Sequence, residues 1–70
     1  MKFNIPRRLP MTEIASLEEA SKLYQKVRND SLEGASTFPF GTIRNGKLKY
    51  KISYNGRVWL DDIVVLEAAR

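Results

Sequence analysis

Residues 45–56 read Asn-Gly-Lys-Leu-Lys-Tyr-Lys-Ile-Ser-Tyr-Asn-Gly, and this stretch decides the fold. Between its two Asn-Gly pairs, every second side chain is apolar and the others are lysine or serine. A period of two is typical of a strand with one buried face and one wet face. Asn-Gly is among the strongest short-range signals for a hairpin turn. The stretch therefore predicts the middle strand of a three-stranded antiparallel meander, with strands at about 40–44, 47–54 and 57–60.

The second turn allows two registers, and they place Trp59 on opposite faces of the sheet. A two-residue turn at Asn55-Gly56 puts the tryptophan opposite Ile52 on the core face. A three-residue loop that adds Tyr54, with a left-handed glycine, puts it opposite Lys51 on the lysine face. We favour the second register, because it turns the two aliphatic side chains of the third strand toward the core.

Turn chemistry and β-propensity give two further predictions for the strand region. A two-residue turn at Asn45-Gly46 places Ile43 opposite Leu48, which pairs apolar with apolar. The β-branched run in the C-terminal tail favours a further strand over 63–66. Asp61 as an N-cap would instead favour a short helix there. We expect the strand.

An amphipathic helix is predicted over about 17–29, before the meander. Ser16 and Glu19 form a capping box at its start. Apolar side chains then recur at helical spacing and share one face, and Gly34 suits a left-handed stop beyond its end. Packing that face on the meander gives a predicted core of eleven side chains: Leu17, Ala20, Leu23, Tyr24, Val27, Ile43, Leu48, Tyr50, Ile52, Val58 and Leu60.

The chain of 70 residues is long enough for one domain. Residues 13–70 are predicted to form a single α+β domain. Residues 1–12 are predicted to be an arm that leads into it, either with a short edge strand over 2–5 or poorly ordered. Pro6 and Pro10 argue against regular structure through the middle of this arm.

The composition excludes several classes of function. The chain has no cysteine and no histidine, so the usual zinc ligands, thiol nucleophiles and neutral-pH general base are missing. We therefore expect no enzyme activity, no catalytic residues, no metal site and no cofactor. No apolar run approaches the roughly 20 residues of a membrane span, and we expect a cytoplasmic protein.

Positive charge concentrates in the middle of the chain. The formal net charge is +4, and no acidic residue occurs between Gly34 and Leu60. Cations beside an exposed aromatic ring on a sheet face suit a nucleic acid, since they neutralise phosphates while the ring stacks on bases. The sequence thus predicts a small binding module for nucleic acid or another polyanion. Its candidate contact residues are Arg44, Lys47, Lys49, Lys51, Arg57 and Trp59. Lysines on a wet strand face can equally serve only solubility, and a lone tryptophan can belong to the core.

A protein-interaction or self-association module is the alternative function. Phe38-Pro39-Phe40 places two rings in a loop, and the segment 63–66 could pair with a protein partner or a second copy of the chain. The candidates for this role are Phe38, Phe40, Ile63 and Val65. In a purely structural role, the two rings would cap the core and the tail would complete the sheet.

Overall fold

The computed structural model describes residues 1–69 as one helix packed on a six-stranded antiparallel sheet. The elements in chain order are β1 (Lys2–Ile5), β2 (Leu9–Glu13), α1 (Leu17–Ser31), β3 (Gly41–Asn45), β4 (Leu48–Ile52), β5 (Val58–Leu60) and β6 (Ile63–Leu66). In space the strands follow the order β2-β1-β3-β4-β5-β6. The predicted α+β class is confirmed, and the predicted meander is the part β3-β4-β5 of a larger sheet.

The N-terminal segment forms the hairpin β1-β2 and not an arm. The alternative of a strand over 2–5 matches the bounds of β1, but β1 is an inner strand and not an edge strand. Strand β1 lies inside the sheet, where Phe3 pairs with Ile43 of β3. Phe3 and Ile5 are fully buried. The two prolines do not prevent the pairing: Pro6 lies in the turn, and Pro10 lies in the edge strand β2, where a missing N–H group is tolerated.

The helix begins as the capping box predicts and ends later than predicted. The Ser16 hydroxyl accepts a hydrogen bond from the Glu19 backbone N–H at 3.1 Å, and the Glu19 carboxylate accepts one from the N–H of Ala15 at 3.3 Å. The left-handed stop is Leu32, with φ 60°, and not Gly34. A left-handed leucine costs roughly 1–2 kcal/mol. The next residue is held on both sides, because the Glu33 N–H donates to the Ser31 hydroxyl at 3.1 Å and the Glu33 carbonyl accepts from the Tyr54 hydroxyl at 2.7 Å.

The strand registers test both turn predictions. At the first turn Gly46 and Lys47 form the two-residue loop, so that Ile43 pairs with Tyr50 and not with Leu48. Gly46 takes φ +62° at the first central position, which glycine adopts without strain. This shift of two residues keeps every side chain on its predicted face. At the second turn Lys51 pairs with Trp59, which confirms the favoured register.

The core lies between α1 and one face of the sheet. Five predicted core residues are buried: Ala20, Tyr24, Ile43, Ile52 and Val58. Four more pack against them while partly exposed: Leu17, Leu23, Val27 and Tyr50. Leu60 is partly exposed, and Leu48 is wrong as a core residue, because it adjoins the β3-β4 turn and is 45% exposed.

Phe38 belongs to the core, although it is not among the eleven predicted core residues. Its ring is 3% exposed and meets the rings of Tyr24 and Tyr54 edge-on, at centroid distances of 5.4 and 6.3 Å. Burial raises the pKa of Tyr24 to about 12, and its hydroxyl donates to the Pro39 carbonyl at 2.9 Å. Phe38 therefore lies in the core, which matches the purely structural alternative for this loop and not an exposed interaction surface.

The C-terminal tail is a strand, as expected, and β6 is one edge of the sheet. Beyond it, the chain is held by the buried hydroxyl of Ser21. This hydroxyl donates to the Gly56 carbonyl at 2.7 Å and accepts from the Ala69 N–H at 3.0 Å. The Ser21 side chain thus connects α1 with the β4-β5 loop and with the C-terminal tail through hydrogen bonds.

Candidate functional site

The face of the sheet opposite α1 carries most of the predicted nucleic-acid contacts, and we call it the open face. Its side chains alternate with the buried ones along each strand, because successive residues of a strand point to opposite faces. The strand registers place the following side chains on the open face: Lys2, Asn4, Glu13, Thr42, Arg44, Lys49, Lys51, Trp59 and Val64.

Three cations form a row across the open face. Lys2 pairs with Arg44 between β1 and β3, and Arg44 pairs with Lys49 between β3 and β4. Directly opposite residues of a sheet have Cβ atoms about 4.5–5.5 Å apart, and like charges at that distance are destabilising. Lys2 has one compensating carboxylate, Glu13, at 3.7 Å. Within residues 1–69, Arg44 and Lys49 have no carboxylate within 4.0 Å.

The next row places a lysine beside two aromatic rings. Lys51 lies between Thr42 on one side and Trp59 on the other. Its Nζ atom is 5.0 Å from the centroid of the Phe40 ring, a cation–π distance. Phe40 is 51% exposed and Trp59 is partly exposed. Both rings are therefore accessible from solvent.

The indole of Trp59 is held in place from the β4-β5 loop. Its Nε1–H donates to the Ser53 hydroxyl at 3.0 Å, and that hydroxyl donates to the Asn55 side-chain oxygen at 2.7 Å. The same oxygen accepts from the Arg57 N–H at 3.1 Å. Since the indole N–H has its partner within the protein, the ring itself remains available for stacking.

A shallow depression of about 470 Å³ joins these groups on the open face. Its wall includes Phe40, Thr42, Lys49, Lys51, Trp59 and Asp61. Asp61 belongs to the turn between β5 and β6 and takes φ 54°. The depression thus combines two exposed or partly exposed rings of the open face, two lysines and one aspartate, and its lining is completed by Pro6, Pro39 and Tyr50.

The structure brings together four of the six predicted nucleic-acid candidates: Arg44, Lys49, Lys51 and Trp59. Lys47 lies in the β3-β4 turn, outside the strand that was predicted to include it. Arg57 precedes β5, and its Nε donates to the Glu67 carboxylate at 2.8 Å, so its charge is compensated. The sequence analysis missed Lys2, although the alternation of Lys2 and Asn4 with Phe3 and Ile5 was a usable strand signal.

The protein-interaction candidates are separated from one another. Phe38 is in the core, and Phe40 belongs to the open face beside Lys51. Ile63 and Val65 lie on the edge strand β6, where they are 67% and 42% exposed. The predicted surface of Phe38-Pro39-Phe40 and β6 is thus not one continuous site.

Residues 1–69 contain neither a membrane-spanning helix nor a metal-binding cluster. No helix in that range is both long and apolar enough to cross a membrane. The same residues contain no cluster of three or more aspartate, glutamate, histidine or cysteine side chains that could hold a metal ion.

No family model, no curated protein and no solved structure matches this chain.

Proposed function

We propose that the open face binds a polyanion, and nucleic acid above all, without strong sequence preference. The observation that carries the proposal is the pairing of Arg44 with Lys49, with Lys51 two residues further along β4. Their repulsion opposes folding of the free protein, and a bound phosphate backbone would relieve it. A sheet face that serves only solubility is better stabilised when both signs of charge are interspersed on it.

Electrostatic contacts of this kind set the expected strength of binding. A surface that neutralises three to five phosphates gives a log–log dependence of affinity on salt with a slope of roughly −2 to −5. Lys49 and Lys51 should contribute most, because they lie on a middle strand that a bound backbone would cross. Affinity should be modest at physiological salt.

The direct test is a gel-shift titration at low salt with single-stranded and double-stranded probes. We expect the double variant Lys49→Glu, Lys51→Glu to lose binding and to keep its fold, since the open face requires only polarity. The matched control is Lys22→Glu, Lys26→Glu, which changes the net charge equally on the exposed side of α1. Circular dichroism checks that both variants are folded. An equal loss of binding in both, or no shift of either probe by wild type at tens of micromolar protein, would contradict the proposal.

The side chains available at the open face support a binding role without catalysis. The residues that line the depression include lysines, a threonine, an aspartate and the rings of Phe40 and Trp59. The chain as a whole contains neither histidine nor cysteine. A positively charged binding module with an intracellular polyanion as ligand also fits the cytoplasmic location predicted from the sequence.

Self-association through β6 is the second candidate function. The observation that favours it is the exposure of Ile63 and Val65 on a strand whose outer edge is unpaired among residues 1–69. An exposed apolar edge can add a strand from a second chain. This candidate uses a different surface from the open face, so the two can be tested separately.

A further inference from the structure

We infer that the ligand of the open face is single-stranded nucleic acid, with bases stacked on Phe40 and Trp59. This inference rests on the proposed function and specifies its ligand. Its basis is the position of Lys51, which pairs with Trp59 across β4 and β5 and lies 5.0 Å from the Phe40 ring. One ammonium group between two accessible rings matches the alternation of phosphate and base along a single strand.

The aromatic rings distinguish single strands from duplexes. In a duplex the bases stack on one another inside the helix, so only the backbone and the groove edges reach a flat protein surface. A single strand can turn its bases outward, and each base stacked on an aromatic side chain adds binding energy whatever its sequence. Phe40 and Trp59 can therefore strengthen binding of single strands and add little for duplexes.

The hydrogen bonds around Trp59 favour the stacked arrangement. Its indole N–H is engaged by Ser53, which is held in turn by Asn55. A ring already fixed in the free protein loses little conformational freedom on binding. A base can thus stack on Trp59 without first ordering it.

The lining of the depression sets where bases and phosphates would lie. Asp61 lines it together with the two rings, and so do Lys49 and Lys51. A phosphate would be attracted to either ammonium group and repelled by Asp61, whereas a neutral base experiences neither force. The backbone phosphates are therefore best placed over the lysines, and the bases over the two rings.

The test compares four polyanions of matched charge: a single-stranded oligothymidine, an abasic strand of the same length, a duplex and inorganic polyphosphate. Binding is followed by competition against a labelled oligothymidine and by the fluorescence of Trp59, the single tryptophan of the chain. We expect oligothymidine to bind about tenfold or more tighter than the abasic strand. We also expect it, and not the abasic strand, to quench the tryptophan.

Two conservative variants separate stacking from charge. Phe40→Leu and Trp59→Leu should each weaken oligothymidine binding by about 5- to 100-fold. They should leave polyphosphate binding and the salt slope unchanged. Met11→Leu is the matched control, because Met11 is 54% exposed, close to the 51% of Phe40, and lies on the edge strand β2. Phe40 lies outside the buried core, so its variant keeps the test valid even if the Trp59 variant is unstable.

The outcomes separate this inference from the proposed function. Equal affinity for all four polyanions, with no effect of the leucine variants, would overturn single-strand stacking and leave polyanion binding intact. Binding of none of them would overturn both. Weakened oligothymidine binding with an unchanged preference over the abasic strand would also overturn stacking, because the rings would then act without contacting bases.

Discussion

Gly41 has no side chain because β3 passes directly against two buried rings. A Cβ atom at this position would lie 2.8 Å from Cε1 of Phe3 and 3.1 Å from Cδ2 of Tyr24. Neither ring has free space to move into, since both residues are fully buried. The glycine therefore sets how closely β1, β3 and α1 approach one another.

Gly41→Ala should lower the free energy of unfolding by about 1 to 3 kcal/mol, the usual cost of forcing extra carbon into a packed core. Urea denaturation of the variant and the wild type measures this difference. Gly34→Ala is the control, because a Cβ atom there has no neighbour within 4 Å. Its stability should stay the same or rise by about 0.4–1 kcal/mol. Equal stability of the two variants would mean that the Phe3 ring moves aside at little cost.

Also at the residue scale, the sequence predicted the face on which Trp59 lies, but it did not predict the burial of Phe38. The face of Trp59 follows from strand parity and one glycine in the β4-β5 loop, and both are local properties of the sequence. Phe38 stands in a loop without periodicity. Its burial depends on Tyr24 and Tyr54, which come from α1 and from the β4-β5 loop. Such a contact exists only after the elements have packed.

At the scale of elements, the hairpin β1-β2 was predicted only in part. The alternation over the four residues of β1 allowed a strand, but it indicated neither β2 nor the place of β1 inside the sheet. Its stability comes from pairing with β3, which is distant in the sequence. The helix and the meander were predictable, because each carries a long periodic pattern with its own cap or turn signal.

An ion pair joins the hairpin turn to the end of the helix. The Arg8 guanidinium donates two hydrogen bonds to the Glu33 carboxylate, at 2.7 and 2.6 Å. These hydrogen bonds and the charge of Arg8 hold the pKa of Glu33 below its ordinary value of 4.5. A carboxyl group with a lowered pKa in the folded state stabilises the fold above its ordinary pKa. That contribution is lost as the pH falls through the lowered value.

Glu33→Gln should therefore cost the same stability at every pH near neutrality. The difference from wild type should shrink as the pH falls below 4.5, because a protonated Glu33 resembles glutamine. Thermal unfolding across this range provides the measurement. In an Arg8→Gln background the same substitution should have a much smaller effect with little dependence on pH. A difference that stays constant down to the acid-unfolding range would show that the ion pair contributes nothing.

At the scale of the whole molecule, the binding surface and the free sheet edge are separate. The cations and rings of the proposed site lie on β1, β3, β4 and β5 and just before β3, whereas β6 contributes Val64 to the open face and forms one outer edge of the sheet. No pattern in the sequence predicted how the six strands would be ordered, since the position of β1 depends on a pairing across most of the chain. Whether the outer edge of β6 has a function therefore depends on whether the protein self-associates.

Self-association through β6 predicts a sedimentation coefficient that rises with protein concentration. Ile63→Lys should abolish the rise, because a lysine on an edge strand opposes pairing with another chain. Leu32→Lys is the matched control, since Leu32 is 93% exposed, follows the end of α1 and belongs to no strand. A monomer at every concentration tested, with cooperative unfolding, would exclude this candidate and leave the open face as the binding surface.

The pairing of Phe3 with Ile43 also governs how the chain folds. Strand β1 precedes the helix in the chain and is an inner strand of the finished sheet, so its second partner, β3, is synthesised only after the helix. Until β3 emerges, the hairpin β1-β2 lacks both its neighbour and the cover of the core, and an isolated two-stranded hairpin is at best marginally stable. Contacts of such long sequence separation slow folding. The closure of β1 against β3 is therefore the step at which we expect the nascent chain to become committed to its native topology.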